Sequence, residues 1–144
     1  MYLIDTNVLS EYRKGVRANE GVLRFFADVE TTILFLPVQV LGEIQAGIAK
    51  LRRVGTAQAR QQAGAYEDWL ESLLAEYGNR VLSFDLEATR LWGSLLSSDK
   101  RDPHTIDKQI AAIALVNNLT VVTRDKGEAF SRIAAAQVLD PFSA

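Results

Sequence analysis

The stretch MYLIDTNVLSEY (residues 1–12) places a short apolar segment, an acidic residue and a helix signal next to one another. The apolar residues before Asp5 predict a first β-strand that ends at this carboxylate. The apolar spacing within 8–12 predicts a helix, and Thr6 or Asn7 can cap it because their side-chain oxygens accept bonds from free backbone N–H groups. The opening therefore predicts a strand, an acid and a helix in immediate succession.

The rest of the chain repeats this alternation of strand and helix. The predicted strands lie at 2–4, 31–36, 80–84, 119–122 and 137–139. The predicted helices lie at 8–12, 22–29, 37–48, 50–62, 63–77, 86–96 and 108–116, the last capped by Thr105 or Asp107. Strands that alternate with helices favour a parallel sheet covered on both faces. We therefore predict an α/β fold, a three-layer α/β/α sandwich with a mainly parallel central sheet, in a single domain that spans 1–144.

Two glycines, Gly42 and Gly47, interrupt the apolar face of the predicted helix that begins near Pro37. Each glycine costs roughly 1 kcal/mol relative to alanine in a helix interior. We therefore expect both glycines to permit close packing, and Gly42 to leave room for close approach to Glu43.

Composition narrows the classes of protein that the chain can belong to. The length of 144 residues, 48% of them hydrophobic, suits one core, since two domains would be undersized. The absence of cysteine excludes disulfides, thiolate metal sites and a cysteine nucleophile, and it suits the reducing cytoplasm. No apolar run approaches the roughly 20 residues of a membrane-spanning helix, so we expect no membrane association. The net charge of −2 gives no global attraction for nucleic acid, so any such contact must be local.

Three acidic residues are predicted to meet at one edge of the sheet, and a fourth, Glu43, is a candidate to join them. Ligands bind parallel sheets at the carboxyl ends of the strands, and Asp5 and Asp125 both follow predicted strands. Asp107 begins the helix that leads back into the Asp125 strand, and a right-handed crossover brings it to the same edge. Glu43 lies about one and a half turns into its helix, where it faces either solvent or this crevice. Taken singly, each acid has a plainer explanation as a helix cap, a turn residue or a surface charge.

Clustered carboxylates imply a bound cation. Their mutual repulsion raises their pKa values unless a positive ion neutralises them, and hard divalent ions prefer such all-oxygen sites. The cluster therefore indicates Mg²⁺ or Mn²⁺. A bound ion lowers the pKa of its water and supplies hydroxide for attack on a phosphodiester, so the expected reaction is hydrolysis without a protein nucleophile.

Four segments of the chain together resemble the PIN-domain toxins of the VapC kind. They are LIDTNVLS (3–10), GEIQAG (42–47), DKQIAAIA (107–114) and VVTRD (121–125), and they span nearly the whole chain. The subgroup that resembles the FitB toxin looks nearest. The resemblance implies a PIN-like nuclease domain that acts as an endoribonuclease on an RNA substrate with a divalent cation. It also implies that the protein is the toxin of a type II toxin–antitoxin pair and commonly a homodimer. Its partner would be a small antitoxin of the VapB kind, and operator DNA would be bound only through that antitoxin.

The resemblance also assigns roles to individual positions. The acidic quartet matches Asp5, Glu43, Asp107 and Asp125. Asn7 and Thr123 match polar residues that steady the acids or water. Two other aspartates, Asp99 and Asp102, precede Asp107 in a polar loop and compete for the third acidic role. The Ile-Ala-Ala pattern that follows Asp107 favours Asp107.

Basic residues near the acids are candidates for contact with RNA phosphates. These residues follow the first helix or precede Asp107 in its loop: Arg13, Lys14, Arg17, Lys100 and Arg101. A second basic stretch, residues 50–60, can bind RNA or an acidic partner. Solvated surface charge is the plainer interpretation of both groups. His104, the only histidine, lies close to Asp107, but a metal-bound water already supplies the base function.

Four aromatic residues suggest a second kind of surface. Tyr66, Trp69, Phe84 and Trp92 are candidates for a partner-binding groove, although core or dimer contact is the more ordinary use of such residues at helical spacing.

Two alternative functions from other classes remain open at this point. A phosphoacceptor receiver domain also binds Mg²⁺ at strand ends of such a sheet, but it needs paired acids early and a lysine late, where this chain has Arg124 and Asp125. A non-catalytic PIN-like interaction module is the other alternative. It would bind a partner and cleave no RNA with any metal.

Overall fold

The described part of the chain forms a parallel sheet of five strands. The computed structural model describes residues 1–96, 102–124, 130, 133 and 136–143. The strands are β1 Tyr2–Ile4, β2 Leu34–Pro37, β3 Val81–Leu82, β4 Thr120–Val122 and β5 Val138–Leu139. Their order across the sheet is β3-β2-β1-β4-β5, and every neighbouring pair is parallel. The chain runs outward from β1 to β3 and then crosses back, so the direction of winding reverses between β1 and β4.

Helices cover both faces of this sheet. The described helices are α1 Thr6–Tyr12, α2 Glu20–Asp28, α3 Val38–Val54, α4 Ala57–Tyr77, α5 Leu86–Leu95 and α6 Thr105–Val116. Side chains alternate along each strand. Ile4 and Val122 therefore enter a core with α1 to α4, whereas Leu3 and Val121 enter a second core with α5 and α6. The predicted α/β/α sandwich is confirmed.

The strands occupy the predicted places, and all except β1 are shorter than predicted. Residues Thr31–Ile33 form a 3-10 turn, and β2 begins only at Leu34. A second 3-10 turn, Gly78–Arg80, precedes β3, which has two residues instead of the predicted five. Residues Thr31–Ile33 are all β-branched and favour a strand by propensity, so the sequence pattern does not separate this turn from β2.

The predicted helix boundary at residues 62 and 63 is wrong. Helix α3 continues to Val54, and α4 begins at Ala57. Gly55 ends α3 in the left-handed conformation, with φ +75°, which glycine adopts without steric cost. Thr56 caps α4 by accepting a bond from the Ala59 N–H, with an N···O distance of 3.1 Å. The antiparallel helix pair therefore turns at residues 55 and 56.

Two predicted helix caps are also wrong. Asp5, and neither Thr6 nor Asn7, caps α1: its Oδ1 accepts a bond from the Thr6 N–H at 2.8 Å. Helix α6 begins at Thr105 after His104, so Asp107 lies within its first turn. A carboxylate in the first turn is stabilised by the positive end of the helix dipole.

The expectation that Gly42 and Gly47 permit close packing is wrong. A Cβ atom added at either position would meet no atom within 4 Å beyond the helix's own neighbouring backbone. Both residues are exposed on α3. Their helix-propensity cost is therefore not offset by a packing contact.

Replacing Gly47 with alanine should raise the free energy of unfolding by up to about 1 kcal/mol, because alanine loses less conformational entropy in a helix. Urea unfolding monitored by circular dichroism measures this change. Gly55→Ala is the matched contrast, since its φ of +75° strains any side chain, and it should lower the free energy of unfolding. A loss of stability in Gly47→Ala would mean that the position is packed.

Arg80 joins the end of α4 to the start of β2. Its guanidinium donates to the backbone carbonyl oxygens of Thr31, of Leu34 at 2.7 Å and of Glu76 at 2.8 Å. The same group lies 4.9 Å from the centre of the Tyr77 ring. One side chain thus donates to three carbonyl groups where the end of α4 meets the start of β2.

In the parts of the chain that the structure describes, each helix is too short or too polar to traverse a lipid bilayer.

Candidate active site

The boundary between β1 and β4 brings Asp5 and Thr123 together. Each residue directly follows its strand, and the two strands are in register at Ile4 and Val122. The Asp5 backbone N–H extends the pairing by donating to the Val122 carbonyl oxygen at 3.0 Å. The winding reverses here, and the carboxyl ends of the strands at such a reversal are where parallel sheets generally bind ligands.

The Asp5 carboxylate is fixed through both of its oxygens. Oδ1 caps α1 through the Thr6 N–H, and Oδ2 accepts a bond from Thr123 Oγ1 at 2.9 Å. Asp5 is 7% exposed and Thr123 is 1% exposed. Hydrogen bonds to a charged acceptor stabilise by about 1.5–3 kcal/mol each, so this geometry holds the carboxylate in one orientation.

Asn7 controls which way the Thr123 hydroxyl points. Asn7 Nδ2 donates to Thr123 Oγ1 at 3.1 Å, and the Arg124 N–H donates to Asn7 Oδ1 at 3.1 Å. A hydroxyl has one proton to give. Since the Thr123 oxygen already accepts from Asn7, its proton goes to Asp5. The two polar residues singled out in the sequence thus form one hydrogen-bonded chain that ends on the carboxylate.

Glu43 enters the same site through Thr6. Thr6 Oγ1 donates to Glu43 Oε1 at 3.1 Å, which joins α1 to α3 across 37 positions of sequence. Partial burial of the carboxyl group raises the pKa of Glu43 above its usual value. The negative charge of Asp5, followed by that of Asp107, raises this pKa further, and the Thr6 bond opposes the rise. The three acids therefore lie close enough to influence one another.

Asp102 and Asp107 occupy different environments. Asp102 Oδ2 lies 2.5 Å from Lys108 Nζ, and Asp102 Oδ1 accepts a bond from the His104 N–H at 2.9 Å. Asp107 acts electrostatically on Glu43, and its Oδ2 lies 3.7 Å from His104 Nδ1. The geometry thus associates Asp107 with the other acids and Asp102 with the start of α6. Asp99, the other competitor, lies outside the described residues.

The fourth predicted acid, Asp125, also lies outside the described residues, as do Lys100 and Arg101. Among residues 1–96, 102–124, 130, 133 and 136–143, no group of three His, Cys, Asp or Glu side chains is gathered closely enough to hold a metal ion. The donor chemistry nevertheless fits a hard divalent cation. Asp5, Glu43 and Asp107 supply only carboxylate oxygens, and a cation between them would relieve the repulsion that raises the pKa of Glu43.

A glutamine pair beside the acids was missed by the sequence analysis. Gln39 Nε2 donates to Gln109 Oε1 at 3.1 Å, which ties α3 to α6. Gln39 lies one turn before Glu43, and Gln109 lies two residues after Asp107. Within the described structure, the buried Gln39 Oε1 atom has no hydrogen-bond partner. No local signal could reveal this pair, because its members are 70 residues apart.

The four aromatic residues form no single groove, and they contact the two cores, which is the use that their helical spacing favoured. Tyr66 and Trp69, whose ring centres are 6.1 Å apart, pack against the core beneath α1 to α4. Phe84 and Trp92, with ring centres 5.8 Å apart, pack against the core beneath α5 and α6. The central sheet separates the two pairs.

The basic residues are distributed over distinct contacts. Arg13, Lys14 and Arg17 are exposed at and beyond the end of α1. In the stretch 50–60, Arg52 forms an ion pair with Glu67, and Arg60 donates to the Gly55 carbonyl oxygen at 2.8 Å. The second basic stretch therefore partly serves to hold α3 against α4.

Comparison with known proteins decides the family. Residues 2–136 match the PIN domain. The chain belongs to the PIN-domain family. This membership excludes the alternative that the chain is a receiver domain. It confirms the resemblance that the four sequence segments indicated.

The relatives of this PIN domain carry names from bacterial plasmid maintenance and toxin systems. The chain is 37% identical to the plasmid stability protein StbB of Pseudomonas syringae pv. tomato, with 100% of both chains covered. It is 29% identical to Toxin FitB of Neisseria gonorrhoeae, over 91% of this chain and 92% of the relative. It is 30% identical to the VapC ribonuclease Y4jK of Sinorhizobium fredii, over 87% of each.

Solved structures of FitB-containing complexes share the fold. The crystal structure of FitAcB from Neisseria gonorrhoeae matches with a TM-score of 0.79 and 28% identity, covering 100% of both chains. The structure of FitAB bound to the IR36 DNA fragment matches with a TM-score of 0.77 and 27% identity, covering 99% of this chain and 96% of that one.

Proposed function

We propose that this PIN domain, spanning residues 1–144, is the toxin of a type II toxin–antitoxin pair and acts as a metal-dependent endoribonuclease on RNA phosphodiester bonds. The observation that carries the proposal is the junction of β1 and β4. There Thr123 fixes the Asp5 carboxylate beside Glu43, whose pKa responds to both Asp5 and Asp107. The relatives named as a toxin and a VapC ribonuclease support the same activity.

The residues proposed to hold Mg²⁺ or Mn²⁺ are Asp5, Glu43, Asp107 and Asp125. When bound, a divalent ion supplies Lewis acidity and a water of lowered pKa for hydrolysis of the phosphodiester. Thr123 and Asn7 keep Asp5 in one orientation, and Thr6 does the same for Glu43. Side chains that need no rearrangement lose no energy to reorganisation when substrate arrives.

The proposed partners follow from family membership. They are an RNA substrate, a small antitoxin of the VapB kind, and a second copy of the chain in a homodimer. Operator DNA is expected to be bound only through the antitoxin. Since its substrate is cellular RNA, the proposed site of action is the cytoplasm.

Removal of divalent ions should abolish RNA cleavage. The experiment incubates antitoxin-free protein with end-labelled cellular RNA in Mg²⁺, in Mn²⁺ or in EDTA, and then restores the ion in excess. Cleavage should appear only when the ion is present, because the carboxylates alone offer no nucleophile for phosphodiester attack. Equal cleavage in EDTA would contradict the proposed mechanism.

The variant Glu43→Gln, purified in the same way, tests whether a contaminating nuclease causes the cleavage. Loss of this carboxylate should reduce cleavage by about 100-fold or more, which corresponds to about 3 kcal/mol. Equal cleavage by this variant would point to a contaminating nuclease. Absence of cleavage by the parent on every RNA, with antitoxin binding retained, would favour the non-catalytic interaction module.

A further inference from the structure

Two adjoining cavities open on the face of the molecule formed by α1, α3 and α4. One has a volume of about 490 Å³ and is lined by Gly47 and Lys50 among others, and the second has about 430 Å³ and is lined by Ser10 and Arg17 among others. Arg13 and Tyr66 line both cavities. The two cavities therefore adjoin at the contact between Arg13 and Tyr66, and together they are here called the Arg13 groove.

The Arg13 side chain is held in place by two aromatic rings. Its guanidinium carbon lies 4.5 Å from the centre of the Tyr66 ring and 5.0 Å from the centre of the Trp69 ring. Among the described residues, Arg13 forms no ion pair with a carboxylate, and it is exposed. A guanidinium fixed in this way loses little entropy when it binds a phosphate, because its planar fork is already oriented.

The groove is positive in a chain whose net charge is −2. Lys14, Arg17 and Lys50 line it in addition to Arg13. Lys14 is partly neutralised by Glu11 at 3.1 Å, but within the described structure Arg17 and Lys50 have no such ion pair. A protein without net positive charge can bind a polyanion only where cationic side chains are locally in excess, as they are in this groove.

The groove begins one helical turn from the acids. The bond between Thr6 and Glu43 joins α1 and α3 at the site, and the next turn of each helix contributes Ser10 and Gly47 to the groove. Lys50 lies seven residues beyond Glu43, which is roughly 10 Å along the helix. A stacked strand carries one phosphate per roughly 3.4 Å, so this distance corresponds to roughly three nucleotides.

We propose that the Arg13 groove binds the backbone of single-stranded RNA on one side of the bond to be cut. The inference rests on the proposed nuclease function and deepens it by assigning the path of the substrate. Lys50 binds a phosphate roughly three nucleotides from the acids, and Arg13 and Arg17 bind other phosphates of the same strand. The half-buried rings of Tyr66 and Trp69 offer contact to unstacked bases, which single-stranded RNA presents and a duplex does not.

The fluorescence of Trp69 tests this inference without any chemistry. The chain has two tryptophans, so Trp92→Phe leaves Trp69 as the sole reporter. The protein is titrated in EDTA with three ligands separately: a single-stranded RNA of twelve nucleotides, an RNA hairpin stem and a poly-glutamate peptide. Only the single strand should change the fluorescence. No response to the single strand would overturn the inference, even for a protein that cleaves RNA with metal. A stronger response to poly-glutamate would assign the groove to an acidic protein segment and would overturn it equally.

Charge variants provide the second measurement. Gly47→Glu puts a carboxylate in the middle of the groove at a position with open space, so it should weaken RNA binding by about tenfold while the protein stays folded. Gly93→Glu is the matched control on α5, where a Cβ also meets nothing within 4 Å, and its RNA affinity should stay within about twofold of the parent value.

The salt dependence of binding distinguishes a phosphate contact from a structural role. Arg13→Ala should reduce the slope of log K against log salt by about 0.7, the value of one phosphate contact on a single strand. Arg24→Ala, at an exposed position on α2, should leave the slope unchanged. Equal slopes for the parent and Arg13→Ala, or equal weakening by Gly47→Glu and Gly93→Glu, would refute the assigned path.

Discussion

Asp5→Asn should lower metal-dependent RNA cleavage by about 100-fold or more, because it removes a charge from the proposed cation site with little change of shape. Asparagine caps helices as well as aspartate does, so the start of α1 should survive. The amide oxygen can still accept the bond that Asp5 now receives from Thr6. The measurement is the initial rate of cleavage in saturating Mg²⁺ or Mn²⁺.

Stability should not account for that loss of activity. The negative charge of Asp5 contributes to the raised pKa of Glu43, so its removal reduces repulsion within the site. The amide NH2 group takes the place of Oδ2, however, and cannot accept the bond from Thr123. Urea unfolding should therefore give Asp5→Asn a free energy of unfolding about 1–3 kcal/mol below the parent value, and circular dichroism should show that the variant stays folded under the conditions of the assay. Asp28→Asn, an exposed change at the end of α2, serves as the control and should keep full activity. Parental cleavage by Asp5→Asn would exclude this carboxylate from the reaction.

Arg80→Ala should lower the free energy of unfolding by about 3 kcal/mol. The change removes charged donors from three backbone carbonyl groups, and each such bond contributes about 1.5–3 kcal/mol before partial replacement by water. It also removes the contact with the Tyr77 ring. Urea unfolding measures the loss directly, and the melting temperature should fall by roughly 10 °C for a chain of this length.

Two further variants define the cause of that destabilisation. Arg80→Lys keeps the charge but lacks the planar fork, so it should recover less than half of the loss. Arg90→Ala removes an exposed arginine from α5 and should change stability by no more than about 0.5 kcal/mol. Equal stability of Arg80→Ala and Arg90→Ala would show that water replaces the three carbonyl contacts at no cost.

The parts of the site that could be predicted from sequence are those fixed by strand ends. A parallel sheet brings the residues after β1 and β4 to one edge, which is sufficient to place Asp5 next to Thr123. The alternation of strands and helices was equally sufficient for the layered architecture. The roles of the four acids, with Asp125 outside the described residues, stay predictions.

The remaining features depend on contacts between distant side chains. The Thr6 bond to Glu43 and the Gln39 bond to Gln109 join residues 37 and 70 positions apart, and no local pattern encodes either. The glycine prediction failed for a related reason. Helical spacing shows that Gly47 interrupts an apolar stretch, but only the packed structure shows that nothing lies above it.

The bond between Thr123 and Asp5 spans 118 positions of sequence, which has a consequence for synthesis on the ribosome. During translation at roughly 5–20 residues per second, Thr123 is added roughly 6–24 s after Asp5. Strand β4 ends directly before Thr123 and lies beside β1 in the sheet, so the pairing of β1 with β4 is complete only after that time. A nascent chain that has not passed Thr123 therefore lacks the fixed Asp5 carboxylate. Premature termination before Thr123 would release fragments without this site, and the proposed nuclease activity would be confined to chains that extend beyond it.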